Sequence, residues 1–195
     1  MHKIEPLKGR SGKDQDLVIL AQKGNSEAFA DLVEQNRNLV YSLVLQMVET
    51  KEEAEEVAQD TFVKAYKSIK QFSHKSKFST WIYKIAYFTA INHLRGKKQL
   101  NSSIDLIEIE SEDDSALDLL TAEDRKKYIT KAMSYLKPID RNLLYLFYWK
   151  ELSLKEIEEI TLLTKANIKV KLLRIRKQMN GILTRLLSNE INDLS

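Results

Sequence analysis

Aromatic and cationic side chains alternate through Phe78–Lys98 without a single acid among them. Trp81, Tyr83, Lys84, Tyr87, Phe88, Asn92 and Arg95 carry the pattern. Rings interleaved with cations suit nucleic acid: unpaired bases stack on the rings while Lys and Arg neutralise phosphates. At helical spacing Lys84, Phe88, Ile91 and Arg95 share one edge, with Asn92 beside them, and Phe78, Ile82, Ile85 and Thr89 line another, the expected core. A second acid-free stretch, Thr164–Asn189, holds Lys165, Lys169, Lys171, Arg174, Arg176, Lys177 and Arg185. A short helix opened by Ser153-Leu-Lys-Glu156 and a turn at Leu162-Leu163-Thr164 precede it, which makes a helix-turn-helix pattern. Ile168, Leu172, Ile175 and Met179 would form the buried stripe of the last helix. Lys169, Lys171 and Arg174 would then face outward near its N-terminal half, where a recognition helix meets base edges. Two such surfaces on one chain imply a grip on DNA at two separate places.

No set of residues suggests catalysis. His2, His74 and His93 fall in a tail, a loop and a basic helix, and none has metal-ligand spacing with another His or an acid pair. There is no Gly-rich phosphate loop. Glu52, Glu53, Glu55 and Glu56 cluster at a helix start without a partner for acid–base work. The expectation is a protein that is not an enzyme and carries no cofactor and no metal.

Each motif also has a plainer reading. A basic amphipathic helix is often just a solvated face, although the Ser-x-x-Glu helix and turn placed before Thr164 weigh against that here. Glu55, Glu56, Gln59, Asp60, Lys64 and Lys67 form the polar face of another helix, either solvated or a protein-docking surface. Trp81 and Phe88 are either core residues or stacking platforms.

The elements that position these residues are helical. The chain has 195 residues, 43% of them hydrophobic, with only 5 Gly and 2 Pro, and its apolar residues recur at helical period. The fold expected is all-α: two small helical domains joined by a flexible acidic linker, the second a helix-turn-helix. The absence of Cys excludes disulfides, a thiolate nucleophile and a zinc ribbon. Residues 1–13 are polar, lack the apolar core of a signal peptide and read as a disordered tail. Leu39–Val48, the longest apolar-rich run, is too short for a bilayer, which needs roughly 20 residues, so no membrane insertion is expected. The net charge of +3 says less than its distribution.

A first helix starts near Asp14 or Asp16 and ends at Gly24. Asn25 caps a second, and a Thr50-Lys-Glu-Glu53 capping box opens a third carrying Ala54, Val57, Ala58, Thr61, Phe62, Ala65 and Ile69. The aromatic-basic helix runs from about Ser79 to Arg95 and stops at Gly96. The first domain is then 14–98. Residues 99–120 hold Asp105, Glu108, Glu110, Glu112, Asp113, Asp114 and Asp118 and read as the linker. The second domain, 121–188, has a helix from Thr121, another opened by Pro138 with Leu143, Leu144, Leu146, Phe147 and Trp149 packing, and then the helix-turn-helix; residues 189–195 form a tail.

Four stretches in this order resemble one family. Ala28-Phe-Ala-Asp-Leu32, Ala54-Glu-Glu-Val-Ala-Gln-Asp-Thr-Phe62, Phe78-Ser-Thr-Trp-Ile-Tyr-Lys-Ile-Ala86 through Arg95, and Leu152-Ser-Leu-Lys-Glu-Ile157 through Arg176 are similar to regions two and four of an extracytoplasmic-function (ECF) sigma factor of bacterial RNA polymerase. The resemblance covers nearly the whole chain except both tails. It implies a cytoplasmic transcription-initiation factor whose partners are core RNA polymerase, promoter DNA and an anti-sigma factor.

The resemblance also implies residue roles. Glu56, Gln59 and Asp60 would dock on the clamp helices of the largest polymerase subunit, while the second domain would meet the flap region. His74 and Lys77, in the loop 71–77 that would hold a flipped base, join Trp81, Lys84, Phe88, Asn92 and Arg95 at the minus-10 element. Lys165, Asn167, Lys169, Lys171, Arg174 and Arg176 would bind the minus-35 element. The linker would thread toward the active-site channel.

The sequence departs from the family at several points. Phe88 stands where Asn is common, so stacking there replaces a base-edge hydrogen bond. Glu158 replaces a small residue and must reach solvent or pair with a lysine. Leu162 and Ala166 stand where Gly is common. Val170 and Leu173 replace polar residues, which adds methyl contacts with thymine to the expected readout. Two other functions fit parts of the chain: a stand-alone dimeric duplex-binding regulator, for which the aromatic helix would be superfluous, and a module that sequesters a partner.

Overall fold

The computed structural model describes residues 11–100 and 121–193, and every α-helix and turn below lies in those two spans. Among the described residues the helices are α1 (Ser11–Gln22), α2 (Ser26–Val44), α3 (Lys51–Ser68), α4 (Phe78–Leu100), α5 (Ala122–Ser134), α6 (Pro138–Leu144), α7 (Leu154–Thr161) and α8 (Lys165–Asp193), with no strand. The linker acids from Asp105 to Asp118 lie outside the described residues.

Local chemistry sets most of the starts. The Asn25 side chain accepts from the Ala28 N–H, Thr50 from Glu53, Thr121 from Asp124 and Ser153 from Glu156. Each satisfies a helix N–H that has no partner within the helix. At Ser153 the capping box is complete, since Glu156 accepts in return from the Ser153 N–H. At Thr50 the reciprocal bond lands one residue earlier: the Glu53 carboxylate accepts from the Glu49 N–H.

Three boundaries differ from expectation. α8 continues to Asp193, past residue 189, where the expected tail begins. α1 begins at Ser11, ahead of Asp14 and Asp16. α4 passes through Gly96 and continues to Leu100. Gly in a helix interior costs only about 1 kcal/mol relative to Ala. Lys97, one residue on, is paired with Glu49 at 3.2 Å and with Glu53 of α3, which ties down the turn beyond the glycine. That pairing holds the Glu53 carboxyl below its ordinary range and raises the Lys97 ammonium, the mutual hydrogen bond being the largest cause of both shifts.

α1 to α4 pack as a bundle around Val18, Leu32, Val40, Leu43, Val44, Met47, Val57 and Ile82, all nearly free of solvent. In the second half α5, α6 and α7 pack on α8 through Tyr128, Ala132, Leu146, Ile157, Ile160, Ile168, Leu172 and Ile175. Trp149, expected to pack, is instead 49% exposed. The π-helical turn Tyr145–Trp149 carries it outward, with its ring stacked on Tyr145. An extra residue per turn rotates everything after it relative to the α-helical period.

The halves are not separate in space. α7 lies along α4, and the apolar core is continuous between them. The buried Asn142 amide donates to the Leu43 carbonyl at 3.0 Å, and the Arg141 guanidinium donates to the Gln46 carbonyl. Lys77 reaches Glu156 at 3.0 Å. Burial by this packing pushes the Tyr83 hydroxyl well above its usual range, with nearby Tyr145 adding to the shift.

Candidate nucleic-acid interface

The exposed face of α3 carries Glu56, Gln59 and Asp60, all open to solvent. It falls opposite Ala54, Val57, Ala58, Thr61 and Ala65, which are buried, so the helical period alone orients it. Val63 and Tyr66, each 51% exposed, continue the same face one and two turns on. The Tyr66 ring meets Phe29 of α2 edge-on at 4.9 Å. The sequence reading did not single out these two, although exposed apolar residues at helical spacing beside the acids are a legible signal.

The loop before α4 is built around Gln22, whose amide donates to the Ile69 and Phe72 carbonyls at 3.0 and 2.8 Å. The Gln22 side-chain oxygen lies 3.1 Å from His74 Nε2. His74 adopts a left-handed backbone (φ 57) with its ring 4.9 Å from Phe72. Phe72 also contacts Trp81 at 5.3 Å, and Trp81 contacts Phe78 at 5.5 Å. Trp81 is therefore half-buried, one member of an aromatic cluster that supports the loop.

Down α4, Lys84 and Phe88 are half-buried, while Asn92 and Arg95 are exposed. Phe88 meets Tyr87 edge-on at 5.3 Å. Lys84 and Arg95 have no salt bridge among the described residues. Lys77 does, with Glu156 across the junction. Glu156 is the partner that sequence reasoning missed, since no local pattern links residues so far apart in the chain. Burial would raise its carboxyl, but the Ser153 backbone and hydroxyl and Lys77 together hold it below its ordinary range.

In the second half the sequence-assigned cations sit on α8 behind a tight turn. Leu162 makes the turn in the left-handed region (φ 60, ψ 15), the conformation for which Gly is usual. Glu158 is partly open to solvent and its Oε1 accepts from the backbone N–H of Lys165 at 3.2 Å, so it meets the lysine through its main chain and not its side chain. Thr164 accepts from the Asn167 N–H at 3.3 Å, so protein groups already occupy part of the helix N-terminus. Lys165, Asn167, Lys169, Arg174 and Arg176 are exposed. Lys171 differs from the outward position expected of it. Its side chain is 40% exposed, with Nζ 3.6 Å from Asp140 of α6.

The Sigma-70 region 2 family model matches residues 32–99, and the Sigma-70, region 4 model matches residues 126–179. The RNA polymerase sigma-H factor of Pseudomonas aeruginosa is 30% identical over 185 residues, covering 90% of this chain and 96% of that protein. The ECF RNA polymerase sigma factor SigW of Bacillus subtilis is 31% identical over 175 residues, covering 83% and 94%. Among solved structures, CnrH in complex with the cytosolic domain of CnrY matches with a TM-score of 0.62 and 19% identity, over 88% of this chain and 97% of that one, a likeness of fold.

Proposed function

The chain belongs to the ECF RNA polymerase sigma factors, and from that premise we propose how its own residues direct promoter-specific transcription initiation. The observation that carries the proposal is the pair of acid-free cationic stretches, Phe78–Lys98 of α4 and Lys165–Asn189 of α8, each with an open face and each overlapping one of the two matched regions.

The exposed face of α3 docks the chain on core polymerase through Glu56, Gln59 and Asp60. Carboxylates on an exposed helix face steer toward cationic partners and lose little solvation until they meet one. The loop from Gln71 to Lys77 receives a base pulled from the minus-10 element. Trp81 shapes that loop, Phe88 stacks on an unpaired base, and Lys84, Asn92 and Arg95 hold the opened strand. α8 enters the major groove of the minus-35 element.

The polymerase performs the chemistry and this chain performs none. No helix among the described residues is long and apolar enough to cross a membrane. We place the protein's work in the cytoplasm, beside promoter DNA. An anti-sigma factor that covers both DNA surfaces is part of the same proposal.

Co-elution with core polymerase tests the docking step. Asp60→Ala and Gln59→Ala are expected to weaken association about tenfold each without changing the melting temperature. Unchanged association for both would place the docking surface elsewhere.

A further inference from the structure

The outer face of α8 is not the row of lysines that composition suggests. At about 3.6 residues per turn, the line opposite the buried stripe of Ile168, Leu172 and Ile175 holds Ala166, Val170, Leu173 and Lys177. All four are exposed, Val170 at 48% and Leu173 at 51%. The first three form an apolar ridge. Lys165, Lys169 and Arg176 flank it on one side, and Arg174 and Lys171 on the other.

We infer that this ridge reads the bases of the duplex and that its chemistry selects thymine methyl groups, while the flanking cations hold the two phosphate strands. The inference rests on the proposal that α8 enters the major groove and specifies what it recognises there. The C5-methyl of thymine is the apolar feature that a base pair offers in that groove, and small or aliphatic side chains contact it. From Ala166 to Leu173 the helix rises roughly 10 Å, close to three base-pair steps of 3.4 Å. The minus-35 element of this chain should therefore carry thymines, on either strand, within about four neighbouring base pairs.

The flanks favour DNA over a protein as the occupant. No acid occurs from Thr164 to Asn189, and cations border the ridge on both sides. Lysine and arginine placed beside the ridge match two phosphate strands beside a groove floor. Lys171, already near Asp140, contributes least to them.

The test begins with holoenzyme assembled from core polymerase and this chain, used to select duplexes from a pool randomised upstream of a fixed minus-10 element. Each thymine of the selected element is then replaced by deoxyuridine, which removes only the methyl. Replacement is expected to weaken binding by about threefold to fourfold per contacted methyl, the scale set by burying one methyl group. Leu173→Ala and Val170→Ala, each shortening the ridge at one position, should each discriminate less between thymine and uracil duplexes, whereas Val170→Thr, which keeps the branched methyl, should discriminate as the unaltered chain does. Lys169→Ala should weaken both duplexes equally.

Full-strength binding to the uracil duplexes by the unaltered chain overturns the inference while leaving α8 as the duplex-binding helix. So does discrimination that survives undiminished in both alanine variants. Loss of core association in Leu173→Ala, with no response to uracil, assigns the ridge to a protein contact instead. If no upstream sequence is selected at all, the groove-binding role of α8 fails, and this inference with it.

Discussion

Phe88 and Trp81 stand two turns apart on α4, and the structure separates what each contributes. Trp81 is locked between Phe72 and Phe78 at 5.3 and 5.5 Å, so its ring supports the loop that carries His74 and Lys77. Truncating a half-buried aromatic should cost about 2 kcal/mol, below the range for a fully buried one. Trp81→Ala should accordingly lower the thermal midpoint of the free protein. Phe88 is half-buried, and among the described residues its ring meets that of Tyr87. Phe88→Ala should leave core binding intact and weaken open-complex formation, read by permanganate reactivity, about tenfold, within the range for losing one base stack. An unchanged permanganate signal would remove Phe88 from the minus-10 surface. Residue types alone could not divide these two aromatics, because the division depends on Phe72, which lies on the far side of a loop.

At the scale of elements, the capping residues were the most legible part of the sequence. Asn25, Thr50 and Ser153 each cap the helix that their neighbours predict, because a cap is a contact within three residues. The end of α4 was not legible, because Gly96 is a local signal and its override, Lys97 with Glu49 and Glu53, comes from another helix. The π-helical turn that exposes Trp149 is equally invisible to a 3.6-residue count.

The turn between α7 and α8 gives a sharp stability prediction. Leu162 is 62% exposed and left-handed, so it buries little there and holds a strained backbone. Strain of this kind costs about 1–2 kcal/mol, partly offset by the larger unfolded-state entropy of glycine. Leu162→Gly should raise stability by about 0.5–1 kcal/mol in urea denaturation. A clear loss would mean that the leucine side chain makes a contact worth more than the strain. Ser153→Ala should cost about 1 kcal/mol, since it removes the hydroxyl that accepts from the Glu156 N–H and leaves only the backbone half of the capping box.

At the scale of the whole molecule, the sequence left open whether the two halves meet, and the structure packs α7 against α4. Magnitudes decide which contacts hold them. Lys77–Glu156 is a surface pair with the lysine side chain 57% exposed, worth under about 1 kcal/mol, and Lys77→Ala should change little. Asn142 is fully buried against the Leu43 carbonyl, and losing that bond should cost about 1–2 kcal/mol. Asn142→Ala should therefore loosen the halves, seen as a larger radius of gyration in small-angle X-ray scattering; an unchanged radius would mean that apolar contact alone holds them.

The same junction should respond to acid. The folded state holds the Glu156 carboxyl below its ordinary range. Its contribution is therefore present above the unfolded carboxyl's pKa and is lost as pH falls through the lower folded value. Glu53 behaves the same way with Lys97. Lys97 mirrors it in base: its raised folded value means the contribution is complete below the ordinary lysine range and fades only as pH climbs past it. Stability should thus be flat through neutral pH and fall at acid pH, and Glu156→Gln with Glu53→Gln should flatten the acid side.

Initiation itself is the most direct measurement: abortive transcription by purified core polymerase on genomic promoter fragments, with and without this chain. Short RNA products are expected only when both are present. Their start sites should lie downstream of a shared pair of elements, and alanine at Lys169 and Arg174 should suppress them. Core polymerase that binds the chain yet never initiates on any fragment, or initiates equally well without it, would contradict the assignment.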